Sequence, residues 1–99
     1  MTIRVILDIP ASPATREAVL ACLKEALPAT RAYAGCEALE LLVNQDDPGN
    51  VVVYEQWTSR AHYDAYRAFR AESGFSAAFR VLFAEPPIVR VLDTEHVYP

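Results

Sequence analysis

The stretch Cys36-Glu37-Ala38-Leu39-Glu40-Leu41-Leu42-Val43-Asn44-Gln45-Asp46-Asp47-Pro48-Gly49-Asn50-Val51-Val52-Val53-Tyr54-Glu55-Gln56-Trp57-Thr58 decides the fold. Its two flanks, Cys36 to Asn44 and Asn50 to Thr58, are rich in β-branched and long apolar residues. Gln45 to Gly49 between them is turn chemistry, so the segment reads as a β-hairpin. Successive side chains of a strand point to opposite faces. Leu39, Leu41 and Val43 therefore oppose Ala38 and Leu42, and Val51 and Val53 oppose Val52 and Tyr54. Apolar residues stand on both faces of the hairpin.

Upstream of it, Ile3, Val5, Leu7 and Ile9 share one face of a first strand while Arg4, Ile6 and Asp8 share the other, and Pro10 ends it. Ser12 can cap a helix with Pro13 at its first position, and Val19, Leu20, Leu23 and Leu27 then form an apolar stripe at helical spacing. Pro28 has no N–H for the Lys24 carbonyl, which predicts a kink or a restarted final turn carrying Thr30 to Tyr33 before Gly35 closes the segment. Downstream, Ser59 caps a second helix to about Glu72, Gly74 breaks it, and a shorter helical piece covers Phe75 to about Phe83. Pro86 and Pro87 precede a last strand, Ile88 to Leu92, and Asp93 to Pro99 is a polar tail holding His96 and Tyr98.

The order β-α-β-β-α-β predicts a ferredoxin-like α+β fold, a four-stranded antiparallel sheet with helices on one face. Half-exposed antiparallel sheets are usually polar on the open side. Here Val52, Tyr54, Ala38 and Leu42 oppose the covered residues, and Ile88, Val89, Val91 and Leu92 fill both faces of the last strand. A second layer from another subunit is the expected cover, so the sequence predicts a sheet-on-sheet homodimer.

The chain has 99 residues, 53% of them hydrophobic, which is room for one domain spanning 1–99 with an adequate core. Cys22 and Cys36 match no redox or zinc spacing and read as reduced thiols. The N-terminus opens directly into strand alternation without the pattern of a secretory leader, and a cytoplasmic location is expected. No apolar run approaches the roughly 20 residues that span a bilayer. The formal charge of −4 and pI near 5.0 argue against nucleic acid, because phosphates demand clustered Lys and Arg. Two distant histidines and two unpaired cysteines give no metal-ligand spacing, so no metal is expected.

Thr30-Arg31-Ala32-Tyr33-Ala34-Gly35-Cys36, Asn44 to Asn50 with its Asp46-Asp47-Pro48 turn, and Tyr54-Glu55-Gln56-Trp57-Thr58-Ser59-Arg60 followed by Tyr63 together resemble the antibiotic biosynthesis monooxygenase family. The resemblance covers nearly the whole chain. It implies a dimeric α+β barrel in which two sheets pack face to face. For some members it also implies oxygenation of polyketide anthrones or quinols by O₂ with no metal, flavin or other cofactor, while other members have non-oxygenase roles. It carries pocket roles onto Trp57 and Tyr63. The asparagine that anthrone-oxidising members place four residues before the tryptophan is Val53 here, and their later arginine would align near Ala77, with Arg80 the nearest candidate. The haem-degrading relatives need a helical histidine in the second half, where only His62 stands.

Read from the residues, Trp57 is a core anchor or a flat wall for an aromatic ligand. Glu55 on the same strand face needs a partner or a raised pKa, and the expected partner is Arg67, Arg70 or Arg80. Tyr63, Tyr66, Phe69 and Arg70 recur at spacings of three and four on one helix face, able to pack or to converge on a polar ligand. Histidine as a residue type has an unperturbed pKa near neutrality, so His62 is either an exposed helical residue or a candidate general base. The expected function is a cofactor-independent monooxygenase of a phenol, quinol or anthrone-like small molecule. In it Tyr63, His62 and Arg70 act on a substrate bound by Trp57, Tyr66, Glu55 and Phe69. The alternative is an isomerase, cyclase, decarboxylase or metabolite-binding dimer on the same architecture.

Overall fold

The computed structural model describes residues 2–83 and 85–99. Its elements are β1 Ile3–Pro10, α1 Arg16–Ala32, β2 Cys36–Val43, β3 Asn50–Trp57, α2 Arg60–Glu72, α3 Phe75–Arg80 and β4 Ile88–Leu92. All strand pairs are antiparallel in the order β2-β3-β1-β4, which is the ferredoxin-like α+β arrangement.

Ser12 caps the turn that leads into α1, its hydroxyl accepting the Thr15 N–H at 3.3 Å and its carbonyl the Thr15 and Arg16 N–H groups at 3.0 Å, and the regular helix starts at Arg16. Of the two outcomes expected at Pro28, a restart is not seen: the helix runs on through it to Ala32 and stops where Tyr33 turns extended. Burial of Val19, Leu20, Leu23 and Thr30 against the rest of the protein offsets the single hydrogen bond that the proline removes. Ser59 caps α2 as expected, its hydroxyl accepting the His62 N–H at 3.2 Å. Gly74, at a φ of 77°, makes the left-handed step into α3, and α3 ends at Arg80, short of Phe83.

The helices cover the sheet face that carries Ile3, Val5, Leu7 and Ile9 of β1 and Val51, Val53, Glu55 and Trp57 of β3. Seven of these eight are buried and Leu7 is partly buried. Around them are two apolar clusters, one under α1 and α3 centred on Ile9, Val19, Leu23, Val53 and Phe79, the other under α2 joining Ile3, Val5, Cys36, Trp57 and Tyr63. The opposite face mixes Ile6, Leu42, Val52, Tyr54, Ile88 and Leu92 with Arg4, Asp8, Glu40 and Arg90. Leu42, Ile88 and Leu92 are 43%, 53% and 44% exposed there.

Gly35 joins α1 to β2 at a φ of 93°, and a Cβ on it would sit 2.5 Å from Cβ and Cγ of His62. Its carbonyl also accepts the Thr58 N–H at 2.8 Å, so the turn is pinned from both sides. Gly35→Ala meets both a disfavoured backbone region and a clash it cannot relieve by rotating a side chain. It is expected to lower stability by about 2 kcal/mol, read as a lower denaturant midpoint at unchanged slope.

Candidate functional site

Strand alternation places Glu55 and Trp57 side by side on the covered face of β3. Trp57 has no exposed surface, and a buried indole N–H needs an acceptor. It finds one in Glu55 Oε1 at 2.7 Å. Glu55 is itself only 5% exposed, and its cross-strand neighbours are Val5 on β1 and Leu39 on β2. Burial pushes its carboxyl pKa up, and the indole hydrogen bond partly offsets that. The expected arginine partner is corrected: among the described residues the ion pairs are Arg60–Asp64 and Arg90–Asp8, and none reaches Glu55.

Above the strand, α1 and α2 are tied by one polar knot. Thr30, fully buried on α1, shares a 2.7 Å hydrogen bond with the Tyr66 hydroxyl. Arg70 donates from Nε to that hydroxyl at 2.9 Å and from Nη2 to Thr30 Oγ1 and the Ala26 carbonyl, each at 2.9 Å. Its guanidinium also lies 4.7 Å from the Phe75 ring centre. The spacing Tyr66 to Arg70 is one helical turn, and so is Ala26 to Thr30, so two adjacent turns face each other and close the contact.

Between this knot and the sheet lies a cavity of about 340 Å³, large enough for a small-molecule ligand. Leu7, Val53, Glu55 and Val89 form its floor, and Tyr63, Tyr66, Arg67 and Arg70 one wall. Phe75, Phe79 and Phe83 close the far side, with ring centres 5.3 Å and 4.7 Å apart along the series. Tyr63 is 4% exposed, and its hydroxyl pKa is pushed up to about 12 by burial, with the nearby Arg67 charge pulling the other way. At neutral pH that hydroxyl is a donor. The site thus offers an apolar, aromatic slot, a tyrosine donor, a buried carboxylate and arginine charge on one wall. Among the described residues no three His, Cys, Asp or Glu side chains gather as a metal-ligand set.

Residues 2–80 match the family model described as antibiotic biosynthesis monooxygenase. The chain belongs to that family. Rv0793 from Mycobacterium tuberculosis superposes at a TM-score of 0.86 with 27% identity, all of each chain being covered. A crystal structure of an antibiotic biosynthesis monooxygenase gives 0.82 and 27%, covering 93% of this chain and 97% of its own. The monooxygenase from the gene ActVA-Orf6 of Streptomyces coelicolor, in complex with Nanaomycin D, shares the fold at 0.79 with 19% identity, covering 98% and 91%. No curated protein matches the sequence.

Within this antibiotic biosynthesis monooxygenase domain, four of the residues singled out from sequence meet at the cavity: Glu55, Tyr63, Tyr66 and Arg70. Three do not line it. Trp57 stands behind Glu55 and Tyr66, its ring 5.0 Å from that of Tyr66, and acts on the cavity through them. Phe69 is 42% exposed and packs on Tyr33 at 5.3 Å. His62 is exposed near the start of α2, with Nδ1 2.7 Å from the Ser59 hydroxyl and its ring against Gly35. The general-base role considered for it has no geometric support. Sequence reading passed over Thr30, because an isolated threonine late in a helix carries no signal until its partners on α2 are known. It also took Phe75, Phe79 and Phe83 as helix alone, although their spacing of four was a visible aromatic stripe.

Thr30→Val keeps the volume and removes the oxygen that both Tyr66 and Arg70 use. It is expected to cost about 2 kcal/mol of stability, the size of a buried network left unsatisfied. Chemical denaturation measures this. A variant as stable as the parent would show that the knot contributes nothing.

Proposed function

We propose that this protein is a monooxygenase that binds a phenol, quinol or anthrone-like molecule in the cavity and lets it react with O₂ without a cofactor. The observation behind the reading is the cavity itself, an aromatic-walled space of about 340 Å³ with a buried carboxylate and a protonated tyrosine on its surface. Family membership supports the reaction class. The structure of the Streptomyces coelicolor monooxygenase with Nanaomycin D suggests that ligand as one to test first.

For an anthrone-type methylene the balance is R₂CH₂ + O₂ → R₂C=O + H₂O. The substrate supplies all four electrons; one oxygen atom enters it and the other leaves as water. The protein must orient the substrate, favour its deprotonated form, which reduces O₂ readily, and keep water away. Tyr63 donates a hydrogen bond to the substrate oxygen, Tyr66 shapes the slot, and the Arg70 charge favours the anion. Trp57 holds the floor from behind.

The same reading places a second copy of the chain on the open sheet face, where Leu42, Ile88 and Leu92 lie exposed beside Val52 and Tyr54. Cys22 and Cys36 are both free, in keeping with a reducing cytoplasm. Among the described residues no helix is long and apolar enough to cross a membrane. A second reading, a non-oxygenase acting on a related small molecule, is favoured by Val53 standing where the anthrone-oxidising relatives carry asparagine.

Two measurements check these readings. An oxygen electrode with a panel of quinols and anthrones is expected to record uptake, with one atom of ¹⁸O₂ in the product. No uptake by folded protein, with or without added flavin and haem, sinks the oxygenase reading. Light scattering is expected to give twice the 11.0 kDa chain mass, and Leu42→Lys combined with Ile88→Lys is expected to yield monomer. A parent protein that scatters as a monomer refutes the dimer.

A further inference from the structure

Glu55 has an unusual position for a carboxylate. It is 5% exposed, flanked across the sheet by Val5 and Leu39, and in no ion pair among the described residues. Its one hydrogen bond there uses Oε1, which accepts from Trp57. The second oxygen, Oε2, has no such partner, yet the one sealed side-chain atom lacking a partner among the described residues is Arg16 Nε. Oε2 therefore keeps accessible surface, and the space that Glu55 borders is the cavity. A buried carboxylate with one oxygen fixed by an indole and the other open to an aromatic-walled slot is an acceptor site for a ligand donor.

We propose that Glu55 takes the hydroxyl proton of the bound aromatic, with Trp57 as the residue that positions it. This rests on reading the cavity as a site for hydroxylated aromatics. In the step, the ligand O–H bond breaks, the proton bonds to Glu55 Oε2, and the electron pair stays on the ligand oxygen. The resulting phenolate lies beside the Tyr63 hydroxyl and the Arg67 and Arg70 charges of the same wall. Trp57 keeps its bond to Oε1 throughout, so the carboxyl cannot rotate away. Burial raises the proton affinity of Glu55 above that of an ordinary carboxylate, which narrows its gap to a phenol near 10 and makes the transfer easier.

The charged and titratable groups around Glu55 are few. They are Cys36 from β2, Tyr63, Tyr66, Arg67 and Arg70 from α2 and Arg80 from α3, while the buried polar group of α1 at the cavity is Thr30. Tyr63 stays protonated up to about 12 and burial pushes the Cys36 thiol up. Glu55 is then the carboxyl group that borders the cavity, its proton affinity raised by burial.

The test is calorimetric binding of 2-naphthol against 2-methoxynaphthalene, which has no proton to give. The parent protein is expected to prefer the naphthol by about tenfold while Glu55 is ionised, and to lose that preference as falling pH protonates it, at a higher pH than for an ordinary carboxylate. In Glu55→Gln the amide oxygen is held by Trp57 and the NH₂ faces the cavity, a donor where the hydroxyl needs an acceptor. The preference and its pH dependence should both vanish, with thermal unfolding showing that the variant is folded. Trp57→Phe removes the offsetting hydrogen bond, so its pH transition should move to higher pH. Equal binding of the two probes by the parent, or absence of hydroxyl-dependent binding, overturns the assignment. So does a Glu55→Gln profile like that of the parent. Oxygen uptake separates the two claims: hydroxyl-dependent binding without uptake leaves Glu55 as the acceptor and removes the oxygenase reading, whereas uptake that survives Glu55→Gln does the reverse.

Discussion

A tryptophan with no exposed surface cannot leave its N–H without an acceptor, and here the acceptor is a carboxylate two residues earlier on the same strand. That 2.7 Å hydrogen bond is the constraint around which the site is built. It lets a large ring fill the space beneath α2, where Tyr33, Tyr63 and Tyr66 lie against it with ring centres between 5.0 Å and 6.4 Å away. It also allows a carboxylate to exist in a core flanked by Val5 and Leu39, which without a donor would carry the full penalty of burial. Packing and chemistry share one interaction.

The second support is the knot of Thr30, Tyr66 and Arg70. Two helices lying on a sheet normally meet through apolar side chains, but α1 and α2 meet here through a hydroxyl pair and a guanidinium with donors committed to both. Such a network has direction and fixed distances, whereas an apolar contact can slide. It therefore holds the roof of the cavity at a set height above Glu55. Arg70 thus has two roles, structural through Nε and Nη2 and electrostatic through its charge at the cavity wall.

The sheet has two unlike faces, and the difference follows from strand register. Pairing Leu39 with Glu55 and Leu41 with Val53 aligns the inward-facing residues of β2 and β3 in rows beneath the helices. The same register sends Leu42 and Val52 to the other side, next to charged residues such as Asp8 and Arg90, which pair at 3.7 Å. That face therefore mixes exposed leucine and isoleucine with one ion pair, unlike the apolar face under the helices.

Much of the fold was legible because its signals are local. The period-two alternation of β3, the Asp46-Asp47-Pro48 turn, the Ser59 cap and the Gly74 break each depend on a few neighbouring residues, and each element they mark is present. At Ser12 and Pro28 a local preference meets tertiary packing: the serine caps a turn that precedes the regular helix at Arg16, and burial of α1 carries the helix past the proline to Ala32. The site was legible in part. Spacing of three and four on α2 put Tyr63, Tyr66 and Arg70 on one face, and alternation put Glu55 beside Trp57. What sequence could not decide was which groups meet across elements, since hydrogen bonds between α1 and α2 join residues 36 and 40 positions apart. So the sequence by itself determined the elements, their order and the inward placement of Trp57 and Glu55. Only the tertiary structure decided that Glu55 pairs with the indole instead of an arginine, that His62 and Phe69 lie outside the cavity, and that Thr30 belongs to its frame. Local periodicity sets which way a side chain points, and three-dimensional packing alone sets what it reaches.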